Sequence, residues 1–333
     1  MHTDSVNQKK PFDSAQRELG VVVGFDGSEQ AMLALHYGAR AALRRGTVLT
    51  VVTAMSGDQQ FYATLAAMPS ESEEQAKRDA AMATLQKARD YLHDYDGEVV
   101  YRIEKGDAAG ILVDLSPAAL LIVIGARGRG GFLGRILGSV AAALPAHAHC
   151  PTVVVPRGYD TGAKDDPNRF DPIQDDSPVT VGVDGSPQSR VAALHAAEIA
   201  AERETGLQLM MALPPIDGWL TWYPGVAPEG YDIVERRKAE LEDHLQAEGE
   251  WISRHVPQVS LAVTVATGEP AKLLAEATAS TQLTVVGTHG RGNVGAALLG
   301  SISRGVLNHA RGPVMVVPEL HDSRLEDQPA DAF

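Results

Sequence analysis

A strand-like segment of this chain is written twice. Val21-Val22-Val23-Gly24-Phe25-Asp26-Gly27-Ser28 returns about 160 residues later as Val179-Thr180-Val181-Gly182-Val183-Asp184-Gly185-Ser186. The closing segments also correspond, Pro151-Thr152-Val153-Val154-Val155-Pro156 against Pro313-Val314-Met315-Val316-Val317-Pro318. A period this long is too great for a solenoid and marks a duplicated domain. The 333 residues give room for two domains, each with its own core. The copies read as residues 18–156 and 178–320. Between them, 157–177 is rich in Asp, Pro and Gly and reads as a solvated linker; residues 1–17 and 321–333 read as polar tails.

Within a copy, strand and helix patterns alternate. In the first, apolar runs at Val21–Phe25, Val48–Thr53, Val99–Ile103, Leu120–Ile124 and Thr152–Val155 read as strands. Helix-compatible stretches lie at Ser28–Arg45, Glu71–Tyr95, Ala108–Leu115 and near Ser139–His149. Continuous apolar strands separated by helices predict a parallel sheet covered on both faces. The expected fold is α/β: two tandem doubly wound, five-stranded parallel sheets of strand order 3-2-1-4-5. Such a sheet binds ligands where the strand order reverses, outside the carboxyl ends of strands one and four. Asp26 and Gly125 fall at those two ends.

A second repeated feature lies there. Gly125-Ala126-Arg127-Gly128 is followed by nine residues and then Gly138-Ser139; Gly287-Thr288-His289-Gly290 is followed by nine and then Gly300-Ser301. Each places a glycine-rich loop after a buried strand and a Gly-Ser step at a helix start. Glycine lets backbone approach a ligand closely, and a helix N-terminus offers unpaired N–H groups to an anion. Two phosphate-binding loops are the reading. A lone Gly-Ser would be read as a simple helix cap; two copies with one spacer argue otherwise. Arg127, Arg129, His289 and Arg291 are candidates to meet phosphate oxygens, with solvated loop cations the plain alternative. Asp26 and Asp184 are candidates to accept from a ribose hydroxyl or an adenine amine, and Asp-Gly is equally a frequent turn pair.

Other chemistries find little support. No Walker loop occurs, which excludes a P-loop NTPase. Gly290-Arg291-Gly292-Asn293-Val294-Gly295 matches G-x-G-x-x-G but follows the fourth strand, not the first, so it is discounted. The eleven histidines form no metal-binding spacing, and Cys150, the single cysteine, reads as packing. A net charge of −14 argues against nucleic acid or an anionic membrane held by nonspecific electrostatics. No apolar run approaches the ~18–20 residues that span a bilayer, and the polar N-terminus lacks a signal-peptide core, so a cytoplasmic protein is the plain reading. Trp219, Trp222 and Tyr223, with Phe61 and Tyr62 in the corresponding first-copy loop, suit a nucleotide cover, a subunit contact or loop self-packing.

The doubled G-x2-G-x9-G-[ST] spacing, after a strand ending in Asp-Gly-Ser, resembles the ATP-binding class of the universal stress protein family. The resemblance covers both copies. It implies an adenine nucleotide α-hydrolase-like domain that binds ATP, with magnesium, and turns little of it over. It also implies association through the final strands, hence a homodimer, although tandem fusion can satisfy that pairing within one chain. Carried over by position, the family's acid falls on Asp26 and Asp184. The loop glycines fall on Gly125, Gly128 and Gly138, and on Gly287, Gly290 and Gly300; the phosphate-contacting pairs fall on Ser139-Val140 and Ser301-Ile302. Ile124 and Val286 would line the adenine or ribose pocket. Pro145, inside the last helix of copy one, departs from helical expectation. The leading expectation is a nucleotide-dependent stress-response regulator, not an enzyme, with an unknown protein partner. A slow ATPase or nucleotidyl-transfer enzyme, and a scaffold with vestigial sites, stay open.

Overall fold

A computed structural model describes residues 10–12, 16–55, 71–128, 137–163, 166–172, 175–214, 227–290 and 298–328. The first domain runs β2 (Val21–Gly24), α1 (Glu29–Arg45), β3 (Leu49–Met55), α2 (Glu71–Tyr91), β4 (Val99–Lys105), α3 (Ala108–Leu115), β5 (Leu121–Gly125), α4 (Ser139–His147) and β6 (Thr152–Val155), after a short β1 (Lys10–Pro11). The second repeats the plan with β7 (Val179–Gly182), α5 (Pro187–Glu202), β8 (Leu207–Leu213), α6 (Ala227–His255), β9 (Leu261–Thr267), α7 (Pro270–Ala277), β10 (Leu283–Gly287), α8 (Ser301–His309) and β11 (Val314–Val317), followed by β12 (Leu320–His321). Predicted strands and helices recur within a few residues of where the apolar pattern put them. Pro145 stays inside α4 without dividing it.

The strand order is β4-β3-β2-β5-β6-β11-β10-β7-β8-β9, so each half has the order 3-2-1-4-5 counted from its own first strand. All pairs are parallel except one. β6 and β11 run antiparallel, pairing Val154 with Val314 and Val153 with Met315, and fuse the two five-stranded sheets into one of ten strands. The burial pattern explains the seam. β6 and β11 are buried at every position, as an interior strand should be. Of the two outer edges, β4 and β9, β4 carries Arg102, Glu104 and Lys105, charges that discourage further pairing.

Two expectations about the connecting chain are corrected. The 157–177 segment is not a solvated linker throughout: Phe170 and Arg169 are buried. Phe170 packs edge-on to Tyr91 and Tyr95, and Arg169 donates to the Tyr91 carbonyl at 2.6 Å and the Asp94 carboxylate at 2.5 Å. Arg40 of α1 adds to this docking, its Nε donating to the Arg169 carbonyl at 2.7 Å. The chain ends are not simple tails either. β1 pairs with β12, Arg17 is buried with its guanidinium on the Ser116 and His149 carbonyls, and Asp327 accepts from the indole of fully buried Trp251. Composition averages hid these few anchoring contacts.

Candidate functional site

The Asp-Gly-Ser step is a built turn. Asp26 Oδ1 accepts from the Ser28 N–H at 2.9 Å, Gly27 has a positive φ of 75°, and Ser28 caps α1 by accepting from the Ala31 N–H at 3.1 Å. Asp184, Gly185 (φ 79°) and Ser186 repeat it. The left-handed backbone is what requires glycine at the middle position. One carboxylate oxygen of each Asp therefore serves the turn. The other is turned toward the loop: a Cβ built on Gly128 would lie 2.5 Å from Asp26 Oδ2, and Gly290 stands in the same relation to Asp184.

The glycine spacing closes a loop. The Gly138 N–H donates to the Ala126 carbonyl at 2.8 Å, and the Gly300 N–H to the Thr288 carbonyl at 2.9 Å. Each loop start is tied to the neighbouring strand, Ala126 N–H to the Val155 carbonyl and Thr288 N–H to the Val317 carbonyl. Gly138 and Gly300 are the N-caps of α4 and α8, with no side chain capping either helix. Ser139 and Ser301 are thus the first helical residues, not caps. Their helix ends keep first-turn N–H groups for another acceptor.

In the first domain these parts surround a cavity of about 640 Å³. Asp26, Ile124, Gly125, Arg127, Gly128, Gly138, Ser139 and Val140 all line it. Its size lies within the about 300–1,000 Å³ common for small-molecule sites. Residues that sequence reasoning missed complete the wall: Val52 to Met55 at the end of β3, Lys77 and Thr84 on α2, and Ile111 and Leu112 on α3. The β3 contribution was readable in principle, because that strand also ends at the same edge of the sheet. Among the described lining residues, Arg127 and Lys77 set two cations against the Asp26 carboxylate. That local balance opposes the acidity of the whole chain.

The second site repeats the backbone and changes the side chains. Thr288 replaces Ala126 and is buried. His289 replaces Arg127, and its Nε2 is engaged with the Leu298 carbonyl. Ser303 ties α8 to the loop by donating to the Gly287 carbonyl at 2.6 Å. Val286 is buried, and Ile302 is among the exposed apolar side chains. Arg129 and Arg291 lie outside the described residues, as do Phe61, Tyr62, Trp219, Trp222 and Tyr223. Among the described residues there is no group of three His, Cys, Asp or Glu placed to hold a metal, and no helix long and apolar enough to cross a membrane. Cys150 is fully buried, and burial pushes its thiol up to about 12.

Two doubly wound α/β units, each with a glycine loop at its switch point, define the class. The comparisons then name it. The universal stress protein family model matches residues 20–156 and again 177–318. One universal stress protein of Mycobacterium tuberculosis is 32% identical over 314 residues, covering 92% of this chain and 99% of that protein. A second from the same organism is 33% identical over 307 residues, covering 90% and 97%. Among solved structures, a universal stress protein from Archaeoglobus fulgidus aligns with a TM-score of 0.62 at 16% identity, covering 91% of this chain and 97% of that one. The chain belongs to the universal stress protein family and carries two tandem domains of it.

Proposed function

We propose that this universal stress protein binds an adenine nucleotide, ATP with magnesium, in each domain, and acts as a nucleotide-dependent regulator of the stress response. The observation that carries the reading is the first-domain cavity, where the loop glycines, the uncapped start of α4 and Asp26 face one space of about 640 Å³. The pieces fit the ligand. Loop and first-turn N–H groups suit phosphate oxygens, Arg127 and Lys77 add positive charge, and Asp26 suits a ribose hydroxyl or an adenine amine. Ile124, Val52 and Leu112 supply an apolar wall for the base. Magnesium would travel on the phosphates, which with water supply most of its octahedral ligands. The protein holds the nucleotide as a signal in a cytoplasmic setting. A homodimer would have to use another surface, because β6 and β11 already occupy each other.

Isothermal calorimetry with ATP tests this on the full chain. Two equivalents are expected, with Gly138→Trp removing one and Gly300→Trp the other. A Cβ at Gly138 already lies 3.2 Å from the Arg127 Cα, and one at Gly300 lies 2.9 Å from the Thr288 carbonyl oxygen. Absence of ATP affinity in the wild type would reject the reading.

A further inference from the structure

Where the two halves and the connecting segment meet, a second and much smaller cavity of about 80 Å³ is lined by Tyr37, Arg40 and Arg44 of α1, Tyr159 and Asp175 of the connection, Arg203 after α5, and Gln282 before β10. Three guanidiniums face it against one carboxylate. Arg40 is satisfied, with its Nε on the Arg169 carbonyl at 2.7 Å and a further bond to the Thr161 carbonyl at 3.3 Å. Arg203 is only partly so. It donates to Tyr37 Oη at 2.8 Å and Gln282 Oε1 at 3.2 Å, while its Nε is buried with no acceptor among the described residues. No hydrogen bond or ion pair of Arg44 is found among the described residues, and the nearby Glu202 is engaged by Arg45 at 3.1 Å. Burial first, then the neighbouring Arg203, pulls the Arg44 pKa down, with Glu202 acting in the opposite direction.

We propose that this junction is a binding site for a small tetrahedral oxyanion of the inorganic phosphate class, which bridges Arg44 and Arg203 and so links the two domains. Guanidinium groups present paired N–H donors that match such oxygens. The space exceeds the about 10–15 Å³ that one water needs and is far below the 640 Å³ of the nucleotide-sized cavity. It has room for such an anion and cannot enclose a whole nucleotide. Tyr37 and Gln282 already hold Arg203 in place, so that guanidinium is positioned before the anion arrives. The site does not depend on the nucleotide reading, since none of its residues lines the larger cavity.

The test is thermal unfolding of the full chain at constant ionic strength, with potassium phosphate replacing potassium chloride. Phosphate is expected to raise Tm in the wild type. Arg44→Gln should unfold at a Tm at least as high as wild type in chloride, because a like-charge contact is gone, and its phosphate increment should be smaller by the share this site supplies. Retention of the full increment in Arg44→Gln would overturn the proposal. Equilibrium dialysis of labelled phosphate against the Gly138→Trp/Gly300→Trp double variant separates this site from the glycine loops. One retained equivalent, displaced by sulfate and not by equimolar chloride, is expected; none retained, or equal displacement by chloride, would also overturn it.

Discussion

The most exacting consequence of the site geometry concerns Gly128→Ala. A methyl group there would sit 2.5 Å from Asp26 Oδ2, whereas unstrained carbon–oxygen contacts lie at about 3.3–3.6 Å. Either the loop or the carboxylate must give way by roughly 1 Å. The carboxylate is not loose, because its Oδ1 accepts from the Ser28 N–H at 2.9 Å within a turn that starts α1. Moving it away from the cavity forfeits the hydrogen bond it would make to the ligand. A bond to a charged group contributes about 1.5–3 kcal/mol, so ATP affinity at the first site should fall about tenfold to a hundredfold. Stability should change little, since Gly128 is exposed on a surface loop.

Calorimetry in a Gly300→Trp background, which leaves only the first site, reads the effect. A double-mutant cycle with Asp26→Ala gives the sharper answer. If Gly128→Ala acts through Asp26, it should cost little once Asp26 is gone, and the two losses should be strongly non-additive. Additive losses, or wild-type affinity in Gly128→Ala, would refute the reasoning that this glycine exists to let the carboxylate approach.

Other consequences concern the frame around the site. Burial, then Arg40 and Arg169, lowers the His36 pKa from 6.5 to about 3. The stability tied to the neutral ring is complete above the unfolded pKa and drains by about 1.4 kcal/mol per pH unit as pH falls toward the folded value; urea unfolding at pH 7 and pH 5 should show a shallower slope in His36→Asn, and equal slopes would contradict the assignment. Glu248→Ala removes the carboxylate that the Arg190 guanidinium, 1% exposed, meets at 2.9 Å and should cost about 3–5 kcal/mol. Lys105→Ala removes an ion pair whose side chains are 64% and 52% exposed and should leave the same urea midpoint unchanged.

Much of the fold was legible because its strands are short uninterrupted apolar runs. Val21-Val22-Val23 and Leu121-Ile122-Val123-Ile124 are buried on both faces of the sheet and cannot be mistaken for amphipathic edges. Duplication supplied a second reading of every element. The choices that sequence left open were those that turn on single contacts. Whether Asp26 belongs to a turn or to a ligand had no answer in spacing; the structure gives one oxygen to the turn and leaves the other facing Gly128. Taken alone, Ser139 would have read as a cap, yet Gly138 holds that position. The docking of Phe170 and Arg169 was invisible for another reason: these few anchoring residues lie within a stretch whose average composition is polar. The role of α2 as a cavity wall needed the tertiary packing of Lys77 and Thr84, which no local pattern encodes.

The antiparallel seam connects these observations. Val153, Val154 and Val155 are as apolar as any central strand, although a lone five-stranded unit would leave them at an edge. An uncovered edge of that composition invites pairing with another chain, and the duplication provides the partner in the same polypeptide. The seam strands also hold both glycine loops, since the Val155 and Val317 carbonyls accept from Ala126 and Thr288, the residues that begin each loop. Val155 follows Val154, which pairs with Val314, and Val317 follows Val316, which pairs with Thr152. Each loop is therefore one residue from a strand pair shared with the other domain. The outer strands β4 and β9 lie at opposite ends of the ten-stranded order, so a displacement there meets only its own domain first, whereas one at the seam reaches the supports of both loops at once.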